Sequence, residues 1–271
     1  MMLGLGQYAA GTRPAECRSV LGRWAYRRSN LLFVMIVVLL VAACGEGIER
    51  TDVGLTASDG CVFPAEVTRT DGARPGVWVL LGHQFTGNRR DWDGLRDDLV
   101  ERDLIVMTWD FRCHGEALCV TETKGESVEQ IWREWMASLD YAVAQGATTI
   151  YAAGASMGGT SLIQVAAERD EIAAVAIVSS PNRFKGLDAL ARYKFVMIPK
   201  LFVVGRADSF APVFSRRYHD EAMGPSRLLM LETELHGTTL IQDEHWLSLI
   251  HISEPTRRYA ISYAVFWLKK K

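Results

Sequence analysis

The sequence is short of net charge of either sign. Its 30 lysines and arginines nearly cancel 32 aspartates and glutamates, leaving a formal net charge of −2 over 271 residues. Without a basic footprint, nucleic acid is a poor partner. Internal repeats are lacking, and no low-complexity linker interrupts the middle of the chain. One domain is the economical reading at this length, and a monomer is expected. Only five cysteines are present, and none has the histidine-paired setting of a nucleophile. No histidine–carboxylate cluster shows metal-ligand spacing, and no glycine-rich loop is built to cradle phosphate. Neither metal nor cofactor is therefore expected. Long apolar runs are missing as well. The run from Leu31 to Ala43 falls short of the roughly 20 residues that a membrane span needs.

That run follows two arginines and ends at a cysteine, in RRSNLLFVMIVVLLVAACGEG. A basic flank and a short apolar core suit a signal peptide. The ending VAAC resembles a bacterial lipobox, which implies lipidation of Cys44, export and attachment to the cell envelope by that lipid. Gly45, in place of an aspartate, resembles lipoproteins sent on to the outer membrane. Residues 1–43 are thus expected to be an N-terminal extension and signal peptide, and 44–51 a lipidated linker. At the other end, LSLIHISEPTR at 247–257 is what a transposase-type sequencing adapter encodes. ISYAVF at 261–266, followed by a lysine-rich end, resembles the far part of the same oligonucleotide. Residues 247–271 are set aside from functional reasoning on that ground, which leaves a domain over 52–246.

Within that domain, short runs rich in valine, isoleucine and leucine recur at 77–82, 104–110, 148–154, 173–180, 200–205 and 227–233. Near-continuous apolar strands of this kind belong to sheets buried on both faces. Longer segments separate them. In SVEQIWREWMASLDYAVAQG, Val128, Ile131, Trp132, Trp135, Leu139 and Ala142 recur at helical spacing, with Ser127 as cap and Gly146 as stop. Such alternation predicts an α/β fold, a mostly parallel twisted sheet with helices on both faces. Near the start, SDG between two alternating runs signals an antiparallel hairpin.

The chemistry points to TTIYAAGASMGGTSL, residues 148–162. Here G-x-S-x-G follows a strand and opens a helix, the context in which the motif acts as a nucleophile turn. Ser156 must then adopt a strained backbone, while Gly154 and Gly158 keep side chains out of the crowded turn. The helix N-terminus offers free N–H groups to a developing oxyanion.

On these residues the chain resembles the α/β-hydrolase superfamily over most of 52–246, in its lidless esterase and dienelactone-hydrolase-like branch. The resemblance implies a triad in the chain order serine, acid, histidine. Asp208, in LFVVGRADSFAP just past the next-to-last strand, takes the acid's place, with Asp220 and Asp243 as rivals inside helical patterns. His236, after the last strand and before Gly237, takes the base's place over His219 and His245. The resemblance also implies an oxyanion hole from the N–H of Met157 and one from the loop LLGHQFTGNRRDW. Gln84 or Phe85 supplies the second donor, and the residues leave that choice open. His83 reads as a structural histidine holding the loop. In DFRCHGEALC, Cys113 replaces a glycine of the similar family loop. For an exported protein a Cys113–Cys119 disulfide is one expectation, with Cys61 the odd thiol; three free buried cysteines is the other. Between the sixth and seventh strands, PNRFKGLDALARYKFVMIP leaves room for one short helix and little else, so minimal capping is expected. A serine hydrolase of small carboxylic esters, with thioesters or peptides as neighbouring substrate classes, is the expected activity. A non-catalytic envelope lipoprotein that binds ligands with this fold is the alternative.

Overall fold

The computed structural model describes residues 47–117 and 128–242. Cys44, Cys119, Ser127, Asp243, His245 and the tract 247–271 lie outside the described residues. An eight-stranded sheet runs in the order β1-β2-β4-β3-β5-β6-β9-β10. Its strands are β1 (Ile48–Thr56), β2 (Val62–Thr70), β3 (Val77–Gly82), β4 (Ile105–Trp109), β5 (Thr149–Ala155), β6 (Ile172–Val178), β9 (Lys200–Gly205) and β10 (Ser226–Leu231). From β4 to β10 every pairing is parallel. The β1–β2 hairpin is antiparallel and joins β4 antiparallel as well.

The apolar runs explain the inner strands. All five residues of β4 are buried, as only a strand covered on both faces can be. The hairpin follows a different rule. β1 is mostly exposed and is held by backbone pairing, with Ile48 opposite Thr70. It begins inside the stretch 44–51 expected to be a linker. Edge pairing needs no buried side chain, so the alternating pattern that signals the hairpin does not mark where β1 begins.

Among the described residues five helices cover the sheet: α1 (Asp93–Val100), α2 (Trp132–Ala144), α3 (Met157–Ala166), α4 (Ala211–Asp220) and α5 (Thr239–Gln242). Trp135 and Leu139 of α2, Leu162 and Val165 of α3 and Tyr218 of α4 share one core with Leu80, Met107 and Ile177. On the opposite face, Val100 of α1 and Leu240 of α5 join Leu81, Val106 and Val203. The α2 pattern begins with a 3-10 turn at Val128–Gln130 and is stopped by Gly146 at φ 92°.

The β6–β9 connection departs from expectation. Instead of a short helix it holds a two-stranded hairpin, β7 (Arg183–Phe184) and β8 (Leu187–Asp188), then a 3-10 turn at Tyr193–Phe195. Lys185 at φ 44° and Gly186 at φ 90° form the turn. Two consecutive left-handed residues suit the tight turn of a right-twisted hairpin. Lys-Gly between Arg183 and Asp188, which pair at 3.0 Å, was the overlooked signal.

Candidate active site

Three loops leave the C-terminal ends of β5, β9 and β10 and bring three distant side chains together. Ser156, at the β5–α3 turn, has φ 47° and ψ −111° and is buried. A non-glycine residue held there costs on the order of 1–3 kcal/mol, so its surroundings must enforce it. They do so by backbone contact. The Ser156 N–H donates to Val178 O at 2.8 Å. A Cβ at Gly154 would stand 2.7 Å from the Gly158 backbone, and one at Gly158 only 2.5 Å from His83 O. Both glycines are thus demanded by close approach, and Gly158 brings the Ser156 turn against the loop after β3.

His236 lies in the loop after β10. Its Nε2 is 2.9 Å from Ser156 Oγ, and its Nδ1 is 2.6 Å from Asp208 Oδ2. Since a carboxylate only accepts, Nδ1 carries the proton and Nε2 is free to accept from the serine hydroxyl. The Asp208 side chain is almost wholly buried. Its other oxygen accepts the N–H groups of Phe210 and Ala211 at 3.3 and 3.4 Å, at the start of α4. Asp208 therefore caps a helix and orients a histidine at once. Gly205 makes room for the histidine loop, since a Cβ there would meet Leu235 O and Thr233 O at 2.7 Å. The rivals among the described residues stand elsewhere. His219 bonds Ser226 Oγ at 2.9 Å, and Asp220 ends α4.

Comparison with solved structures matches this arrangement of strands and helices. An esterase from Pyrococcus furiosus superposes with a TM-score of 0.62 at 18% identity, over 75% of this chain and 90% of that one. An esterase from Exiguobacterium antarcticum gives 0.62 at 14%, over 81% and 100% of the two chains. A hydrolase from Pseudomonas aeruginosa PA01 gives 0.63 at 14%, over 82% and 99%. The chain has the α/β-hydrolase fold. No family model and no curated protein matches the sequence.

Within this α/β-hydrolase frame, the loop after β3 is locked from several sides. His83 Nε2 accepts the Phe111 N–H at 3.0 Å, which leaves the proton on Nδ1 to donate to Gln84 O at 2.7 Å. Burial lowers the His83 pKa to about 4, so the neutral ring that this pairing requires is the stable one. Gly87 N–H also donates to Gln84 O, at 3.1 Å. Two donors on one carbonyl fix the Gln84–Phe85 peptide, and planarity turns its N–H, that of Phe85, to the opposite side. Thr86, at φ 65°, is a β-branched residue in the left-handed region, a mark of an over-determined turn.

Several residues of this shell had no role assigned from sequence. Asp110, fully buried after β4, accepts Arg89 N and Glu116 N at 2.7 and 2.8 Å and pairs with the Arg89 guanidinium. A charged residue directly after an apolar strand, in LIVMTWD, was the available signal. Trp135 Nε1 donates to Gly158 O at 3.2 Å and packs on Gly82. Phe210 lays its ring 4.9 Å from the His236 ring. From the cap hairpin, Phe184 meets the Phe85 ring at 5.3 Å, and Lys185 Nζ sits 5.1 Å over the same ring. Cys113 is disulfide-bonded, and Cys61 is a free, buried thiol. Among the described residues no group of three or more histidines, cysteines or carboxylates is placed to hold a metal ion. None of their helices is long and apolar enough to cross a membrane.

Proposed function

We propose that the chain is a serine hydrolase that cleaves carboxylic esters through an acyl-enzyme. The observation that carries this reading is the unbroken hydrogen-bond chain Ser156–His236–Asp208, with its serine held at a strained strand-to-helix turn. In the proposed reaction Ser156 Oγ attacks the ester carbonyl carbon while His236 Nε2 takes its proton. Asp208 stabilises the imidazolium that forms. The tetrahedral oxyanion falls to Met157 N–H, which as the first helical residue has no intrahelical acceptor, and to Phe85 N–H. Collapse breaks the bond to the alcohol oxygen, which leaves with the proton from His236. Water then repeats the sequence on the acyl-enzyme, giving its proton to Nε2 and releasing the acid and Ser156.

Esters are favoured over thioesters and peptides because two of the structural neighbours are esterases. The test is intact mass after fluorophosphonate treatment, with Ser156→Ala alongside. A single adduct in the parent protein and none in the variant is expected, with ester hydrolysis lost in parallel. A folded parent protein that takes no adduct would transfer the site to a non-catalytic binding role.

A further inference from the structure

Gln84 is held at both of its ends. We propose that its carboxamide is a positioning group that registers the histidine loop on the loop after β3, and thereby sets His236 on Ser156. This rests on reading those two residues as catalytic. Gln84 Oε1 accepts the backbone N–H of Thr238 at 3.0 Å, across 154 positions of chain. Thr238 is buried, so its N–H has no water to turn to, and an unpaired buried N–H is rarely tolerated. The same oxygen lies 1.7 Å from where a Cβ at position 237 would stand. Only Gly237, at φ 60°, admits the carboxamide. At the other end, Gln84 O is pinned by His83 Nδ1 and Gly87 N.

The strut joins loops that strand pairing leaves apart. β3 and β10 are separated in the sheet by β5, β6 and β9. Among the described residues the His236 ring bonds Ser156 and Asp208 alone, and the glycine after it has no side chain to pack. Gln242 Nε2 adds a tie from α5, to Asp91 O at 3.0 Å, and the Asp91 carboxylate takes a hydrogen bond from the Thr238 side chain, but the Thr238 backbone N–H is met by Gln84. A change in the Gln84 side chain therefore acts first on the spacing of His236 and Ser156.

The test compares Gln84→Met, which keeps length but removes the acceptor, with Gln84→Glu, which keeps an acceptor oxygen. In Gln84→Met, kcat for a p-nitrophenyl ester and the fluorophosphonate labelling rate should each fall about tenfold or more, with KM little changed. Gln84→Glu should recover most of that loss. Hydrogen exchange at the Thr238 amide should quicken in Gln84→Met and stay slow in Gln84→Glu. Parent-like kcat in a folded Gln84→Met protein would overturn the proposal, as would equal losses in both variants. If Gln84→Met fails to fold, Gln84→Glu decides, since loss of Thr238 protection there overturns the strut. A parent protein inert to the probe removes the hydrolase reading instead, while amide exchange still reports on the strut.

Discussion

At position 158 one methyl group separates two arrangements of the site. A Cβ there would stand 2.5 Å from His83 O and 2.6 Å from Gly82 O. Both are backbone atoms and cannot swing aside, so Gly158→Ala must push the Ser156 turn away from the loop after β3. Displacements on the order of 1 Å at a reacting centre cost about 100-fold in rate. Ester hydrolysis by Gly158→Ala is expected to fall by about that factor, and a parent-like kcat would show that the two loops need no such contact. Asp208 carries a related lesson. A helix cap and a histidine partner compete as explanations of an aspartate in a sequence, yet here one carboxylate serves both. Its two oxygens face different ways, and only their separate partners reveal it.

Between elements, the tie with most at stake is Arg112. It follows β4 and reaches two other parts of the fold. Nε donates to Glu134 of α2 at 2.6 Å, while the two terminal nitrogens take Asp59 in the β1–β2 turn at 2.7 and 3.1 Å. Burial pushes the Glu134 carboxyl up from its usual range, and Arg112 pulls against it. Burial also opposes the guanidinium's charge, but the hydrogen bonds it donates to Asp59 and Glu134 outweigh it and hold its pKa above the ordinary value. Removing one partner of a buried pair strands the other, at about 3–5 kcal/mol. Arg112→Met should lose that much stability in denaturant unfolding, and adding Glu134→Gln should restore part of it. A loss below about 1 kcal/mol would mean that water already reaches the pair.

For the molecule as a whole, His83 ties stability to pH. Its pKa falls from 6.5 to about 4 on burial, so the unfolded chain binds the proton that the folded one refuses. The contribution is complete above pH 6.5 and is lost as pH falls toward 4, by on the order of 3 kcal/mol. Asp91 works in the opposite sense, because burial raises its pKa and the folded state then takes up a proton first. The denaturation midpoint should drop between pH 7 and pH 5, and His83→Gln, which cannot titrate, should flatten that slope. An unchanged slope in the variant would assign the acid sensitivity to other groups.

Across the whole chain, what could be read directly from residue order was local. Continuous apolar runs announce strands covered on both faces, as for Val77–Gly82 and Lys200–Gly205, because burial is written in side-chain type. The turn around Ser156 was equally readable, since strand, glycine, serine and helix follow one another. The choice among histidines drew on their order along the chain, but the ring of His236 meets Ser156 only because β10 lies three strands from β5. Gln84 reads only as a candidate oxyanion donor until Thr238 arrives beside it from 154 positions away. The β7–β8 hairpin and the pairing of Ile48 depend on left-handed turns and backbone ladders, which leave little trace in hydrophobic pattern. Local free energies specify elements one at a time. The polar ties among loops form only after the sheet order has brought their ends together.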